Sequence, residues 1–264
     1  MICAMLYRER SRAESFGAVA ERYDRVRPAY PPALLDALLA REQRPGEHPP
    51  RRVLDVGCGT GIASRLLAAR GCEVLGVEID ERMARLARAH RVQVEVAQFE
   101  RWEPAGRTFE LVVSGQAWHW IDPLAGAQQA AGVLEPGGRI GLFWNFGLQP
   151  SAVAELFDPI YKRLAPGLEG YSVLLGGQDA RAETAAAAIA ATGQFEAAET
   201  GTYAWKQTHG TAEWLQILQT HSDHQALAPE RRQRLLDAIG EAIDSLGGSF
   251  EMPYEAILVS ARRR

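Results

Sequence analysis

The residues best suited to chemistry cluster in "VLDVGCGTG", Val53 to Gly61. Gly57, Gly59 and Gly61 alternate with Cys58 and Thr60, between an apolar run and a stretch of helical rhythm, "IASRLLAAR". Glycine serves where the backbone needs positive φ or where something must come close to it. So bare a turn between a strand and a helix therefore points to a ligand. A dinucleotide turn reads G-x-G-x-x-G and sets a pyrophosphate on the helix N-terminus. Here Ile62 stands where the third of those glycines would be, and the tighter turn suits a ligand without phosphates. Glu78 ends the next apolar strand. A carboxylate there can accept hydrogen bonds from both hydroxyls of a ribose, although alone it reads equally well as a solvated strand end.

Further on, "AWHWID" sets Trp118, His119 and Trp120 just past another apolar strand. His119 has two readings, a general base for a hydroxyl group or a structural hydrogen-bonding residue; Trp120 reads as packing. "THSDH" places His221 and His224 three apart, a spacing that a metal could use. No carboxylate–histidine cluster accompanies the pair, so no metal is expected, and Ser222 and Asp223 read as helix caps.

These groups need a scaffold, and the chain supplies an alternating one. "RRVLDV", "CEVLGVEI", "VQVEV", "FELVVSG" and "RIGLFWN" read as strands; "IASRLLAAR", "DERMARLARAH" and "DPLAGAQQAAGVL" read as the helices between them. That rhythm predicts βαβ units and a parallel sheet covered on both faces. "ESFGAVAERYDRVRP" and "PPALLDALLARE" predict two helices ahead of the sheet. After Asn145 the rhythm breaks: helical pieces at "SAVAELFDPIYKRLA" and "QDARAETAAAAIAAT" flank a glycine-rich connector, "PGLEGYSVLLGG". "FEAAETGTYAWKQ" and "YEAILVSAR" then return as strands, around two helices. The expected division is a flexible tail at 1–13, a core domain at 14–149 and 193–264, and an inserted lid over the acceptor at 150–192.

The totals narrow the class. With 264 residues and 47% hydrophobic side chains, the chain can bury one large α/β core. A net charge of −4 gives no basic field toward nucleic acid or acidic membranes. Cys3, Cys58 and Cys72 form neither a disulfide framework nor a metal-type pair. There is no signal-peptide pattern and no apolar run long enough to span a bilayer, so a cytoplasmic location is expected.

"VLDVGCGTG", "GVEID", "FELVVSGQAWHWID" and "VLEPGGRIGLFWN" resemble the successive motifs of class I S-adenosylmethionine-dependent methyltransferases. "AERYDRVRPAYP" and "TAEWLQILQTHSDHQALAPERR" are similar to the small-molecule group that includes trans-aconitate-type (methyltransferase type 11) enzymes. The resemblance implies a doubly wound, Rossmann-like, seven-stranded α/β sheet with its last strand antiparallel. It also implies roles toward S-adenosylmethionine. Asp55, Gly57, Cys58, Gly59 and Gly61 would face its methionine part. Glu78 would hold the ribose, Ile79 and Met83 would line the adenine, and Gln98, Phe99 and Glu100 would form the far side of that pocket. Gln116 would lie near the sulfonium, while Tyr23 and Arg27 would close over the cofactor. The alternative for Arg27 is a surface helix charge. Many relatives carry aspartate where Phe99 stands. Trp118, His119 and Trp144 are expected to line the acceptor pocket.

Methyltransferases acting on conjugated amino nitrogens resemble one another in an Asx-Pro-Pro-aromatic run; here the run is "SGQA". The expected partner is thus a small-molecule acceptor, neither nucleic acid nor membrane, with monomer and homodimer both open. The expected reaction is methyl transfer to a carboxylate or hydroxyl oxygen, with His119 as the candidate catalytic residue. The alternatives are N- or C-methylation of a natural product, a nucleotide-dependent oxidoreductase (against which Ile62 argues), and a non-catalytic cofactor-binding protein.

Overall fold

The computed structural model describes residue 17 and residues 19–40, 52–168 and 180–264. The expected tail at 1–13, the polar loop at 41–50 and most of the glycine-rich connector lie outside these residues. Two helices, α1 (Ala20–Val26) and α2 (Pro32–Leu39), precede the sheet. Then follow β1 (Arg52–Val56), α3 (Ile62–Ala68), β2 (Glu73–Glu78), α4 (Glu81–Ala89), β3 (Gln93–Val96), β4 (Phe109–Gly115), α5 (Pro123–Val133) and β5 (Leu134–Gly147). The second half comprises α6 (Ser151–Leu164), α7 (Ala180–Ala191), β6 (Glu199–Gly210), α8 (Thr211–Leu218), α9 (Ser222–Gln225), α10 (Pro229–Ser245) and β7 (Ser249–Arg262).

The strands form one seven-stranded sheet in the order β3-β2-β1-β4-β5-β7-β6. The first five pair in parallel, and β7 runs antiparallel to both β5 and β6. This is the doubly wound sheet that the alternating pattern and the family resemblance imply. The central strands are short apolar runs because both faces are covered: Val53, Leu54, Leu111, Val112, Ile140, Leu142 and Phe143 are all essentially inaccessible. Capping fixes where the helices begin. The Asp80 carboxylate accepts from Arg82 N at the start of α4, and Asp122 accepts from Ala125 N at the start of α5.

Two boundaries differ from the sequence reading. β6 begins at Glu199, after a single bridge from Phe195 to Arg263, and β7 begins at Ser249, five residues before the run "YEAILVSAR". The extra length is a β6–β7 ribbon that pairs as far as Gly210 with Ser249. The 150–192 segment also divides. α6 packs through Val153, Phe157 and Tyr161 against Leu235, Leu236 and Ile239 of α10. α7 instead buries Ala182, Ala185 and Ile189 in the main core with Trp144, Ile257 and Val259. That helix is a layer on the sheet.

The chain leaves β1 toward β2 and β3, then returns across β1 to β4. Strand order therefore reverses between β1 and β4, and the carboxyl ends of these strands open a crevice there. α1 lies across it. Asp24 bonds Arg65 of α3 (2.8 Å) and His90 beyond α4 (2.9 Å), while Arg22 donates to Gln219 beyond α8 (2.8 Å).

Candidate cofactor and acceptor site

A cavity of about 670 Å³ follows the carboxyl ends of the strands from β2 to β5 and on to the start of β7. Its size falls within the usual range for small-molecule sites, about 300–1,000 Å³. Tyr23 of α1, Arg27 just beyond it, the glycine turn, Glu78, Ile79, Met83 and Gln98 to Glu100 line one end. Gln116, His119, Trp120, Asn145, Arg181, His221, Asp223 and Tyr254 line the other.

The glycine turn needs its glycines for conformation. Gly57, Gly59 and Gly61 have φ of 66°, 56° and 84°, the left-handed region that other residues enter only at an energetic cost. Gly57 N and Cys58 N both donate to Val77 O, which ties the turn to β2. A Cβ on Gly57 would lie 2.5 Å from Ala117 Cβ. Gly57→Ala is expected to lower stability by about 2–4 kcal/mol, from left-handed strain plus overpacking. Urea unfolding measures this; an unchanged midpoint would refute the packing argument. Gly61 caps α3 and packs toward Val92 and Ala87. It is the one member of the turn outside the cavity wall, so its part there is conformational.

Glu78 is 8% exposed and already engaged. Its Oε1 accepts from Ile79 N (2.9 Å) and Asp80 N (3.0 Å), and its Oε2 accepts from Gly59 N (2.8 Å). Burial raises its carboxyl above the ordinary value against the pull of those three N–H groups. The carboxylate that the sequence offers to a ribose is therefore also the tie that holds the glycine turn at the end of β2.

Asp55, 1% exposed, accepts the Ser64 hydroxyl on Oδ2 at 2.5 Å. Its Oδ1 is buried with no hydrogen-bond partner. Burial pushes the carboxyl up to about 6, and the neighbouring Glu78 charge adds to the rise. An orphaned, buried carboxylate oxygen on a cavity wall calls for a cationic donor. The ammonium of a methionine moiety is such a donor, so these residues fit the cofactor that the sequence implies. Burial also pushes the Cys58 thiol well above its ordinary value, leaving it an inert wall group.

At the middle of the cavity, Gln116 holds φ = 58°, a strained setting for a residue with a side chain. Its backbone N donates to Phe143 O (2.9 Å), and its Nε2 donates to Asn145 O (2.8 Å). Arg27 stacks over the Tyr23 ring at 4.9 Å and donates from Nη2 to Thr220 O (3.1 Å). Its Nε is buried without a partner. His119 Nδ1 accepts from Trp144 Nε1 at 3.3 Å. Burial, and then the Arg181 guanidinium, hold that imidazole well below its ordinary pKa.

With this geometry in place, a family model described as a methyltransferase domain matches residues 53–138. Residues 53–138, which carry the glycine turn, Glu78 and His119, are thus similar to a methyltransferase domain. The chain is 38% identical over 133 residues to an uncharacterised methyltransferase of Mycobacterium tuberculosis (strain H37Rv), covering 50% of this chain and 52% of the relative. It is 37% identical over 150 residues to a malonyl-[acyl-carrier protein] O-methyltransferase of Methylococcus capsulatus, covering 54% and 53%. It thus spans about half the length of the curated relatives it matches. A type II methyltransferase candidate from Anaeromyxobacter dehalogenans has a solved structure with the same fold. The TM-score is 0.60 at 22% identity, over 89% of this chain and 97% of that one.

The far end of the cavity departs from the sequence reading. Trp118 and Trp144, expected on the acceptor wall, are 2% and 1% exposed and belong to the core. Trp118 packs by Gly126 and Phe99, and Trp144 reaches the site only through its bond to His119. Trp120, read as packing, lines the cavity. Ser222 and Asp223 do not cap α9: its N-cap residue is His221, with no side-chain capping bond. Asp223 Oδ1 instead accepts from the N–H and Nδ1 of its neighbour His224 (2.8 and 3.0 Å). Burial alone would raise the Asp223 carboxyl; the His224 contacts outweigh it and hold it at about 2. Tyr30, Arg181, His221 and Tyr254 also line the cavity, and the sequence reading gave none of them a place in this site. No cluster of three or more metal-ligating side chains occurs among the described residues. No described helix is long and apolar enough to cross a membrane.

Proposed function

We propose that this protein transfers the methyl group of S-adenosylmethionine to a carboxylate oxygen of a small-molecule acceptor. Asp55 Oδ1 would receive the cofactor's ammonium, Glu78 its ribose hydroxyls, and Ile79, Met83 and Phe99 its adenine. When bound, S-adenosylmethionine supplies an electrophilic methyl on a sulfonium, which is displaced in line. The chain's own contribution is alignment, which can supply roughly 7–11 kcal/mol at best.

The observation that carries the choice of acceptor is that two guanidinium groups line the cavity, Arg27 at one end and Arg181 at the other. The cofactor brings a single carboxylate, suited to one arginine. A second guanidinium calls for a second anion, which the acceptor would supply. The O-methyltransferase named above has a malonyl acceptor by name, in keeping with a carboxylate but not specific to this chain.

Two measurements test the reading. Calorimetry should show binding of S-adenosylmethionine or S-adenosylhomocysteine and none of NAD; tight NAD binding alone would overturn the cofactor assignment. A mass-detected acceptor screen should favour carboxylic acids over phenols, alcohols and amines. Arg181→Met should then lower kcat/KM for the acid by about 30-fold, the scale of one lost charge-assisted pair, with cofactor affinity held. Preferred methylation of an alcohol or amine would sink the carboxylate assignment.

A further inference from the structure

Trp144 donates its indole N–H to His119 Nδ1. An imidazole nitrogen that accepts a hydrogen bond carries no proton, so the neutral ring must hold its proton on Nε2. Trp144 is 1% exposed and packed in the core; among the described residues its N–H has no other acceptor. Burial keeps the ring neutral, and His119 lines the cavity. No other hydrogen bond engages the ring among the described residues.

We propose that Trp144 is a positioning residue that fixes His119 in the Nε2–H tautomer. His119 then meets the acceptor as a hydrogen-bond donor and has no lone pair free to act as its base. This rests on the methyl-transfer reading above and says how the site would discriminate among acceptors. Methylating a carboxylate forms an O–CH3 bond as the S–CH3 bond breaks, the electron pair stays on sulfur, and no proton is released. Methylating a hydroxyl releases one proton, which a group on the cavity wall must take. His119, with Nδ1 occupied and Nε2 already protonated, cannot take it. It instead adds a donor beside Arg181 at the acceptor end, and the two together favour an oxyanion.

The test begins with the native, ligand-free protein, by long-range 15N–1H NMR of its histidines. His119 should show a pyridine-type Nδ1 and a pyrrole-type Nε2. Trp144→Phe keeps a core ring but removes the donor, so a fraction of Nδ1–H tautomer should appear. Carboxylate kcat/KM should fall about tenfold, the scale of one neutral hydrogen bond, with cofactor affinity unchanged. His119→Gln places an amide donor near the Nε2 position and should retain more activity than His119→Phe. An Nδ1–H tautomer in the native spectrum, or an unshifted tautomer in the folded Trp144→Phe protein, would overturn the proposal. The native spectrum alone decides the tautomer if that variant does not fold. Correct tautomers with no methyl transfer to any acceptor would instead overturn the function on which it rests.

Discussion

Replacing Asp55 with asparagine is expected to make the ligand-free protein more stable at neutral pH while removing its affinity for S-adenosylmethionine. In the folded state the carboxyl titrates at about 6, against 3.8 for an ordinary aspartate. Between those values the folded chain keeps a proton that the unfolded chain has released. Stability therefore falls as pH rises through this window and levels off above it. The gap corresponds to about 3 kcal/mol. The difference between wild type and Asp55→Asn should be near zero at pH 4 and approach that value, in favour of the variant, by pH 7.5. Urea unfolding of both proteins across that range measures it. Calorimetry should show cofactor affinity reduced at least ~100-fold, as for a truncated buried charge pair. A variant that binds normally would mean that Oδ1 is not the ammonium's partner; parallel pH profiles would mean that its burial is not strained.

Glu78→Ala should damage both the fold and the site. The carboxylate accepts three backbone N–H groups, and an unsatisfied buried donor costs about 1–3 kcal/mol. The cavity lets water reach some of them, so a loss of about 3 kcal/mol is expected, with cofactor affinity reduced ~100-fold or more. Glu78→Gln separates the two roles. Its amide oxygen can still serve Ile79 and Asp80, while its NH2 opposes Gly59 N–H. Stability should fall by only about 1 kcal/mol, yet binding should remain impaired about tenfold. Thermal unfolding with and without S-adenosylhomocysteine reads both. An alanine variant of native stability would show that the glycine turn stands without its tie.

The sheet was legible because each buried strand is a short apolar run and each helix between strands carries a 3.6-residue stripe. The glycine turn was legible for a firmer reason: left-handed φ at three positions leaves the chain little choice but glycine. The acceptor end was legible only at Gln116 and His119, because its other groups, Arg181, His221, Asp223 and Tyr254, arrive from α7, the start of α9 and β7, far apart in sequence and at no fixed spacing. The tryptophans show the same limit at short range. Trp118 and Trp120 sit in one tight 3₁₀ turn, where successive side chains point about 120° apart. One enters the core and the other the cavity, though both look alike in "WHW". The alanine stripe of α7 reads the same for a lid as for a layer on a sheet; only its partners, Trp144 and Val259 among them, distinguish the two.

The helix across the cavity bears on how ligands come and go. α1 buries only Ala20 and Val26 of its seven residues; Val26 shares an apolar cluster with Trp214 and Ile217 of α8, and the helix's hold on Arg65 and His90 is by partly exposed pairs. Asp24 is 14% exposed, and its partners Arg65 and His90 are 32% and 39% exposed. Pairs of that kind contribute about 0–1 kcal/mol each, whereas the strands beneath are closed on both faces. Local opening therefore concentrates in α1, at a free energy well below that of global unfolding. Higher ionic strength weakens the same pairs, so salt would act on the rate of ligand exchange before it acts on the stability of the fold.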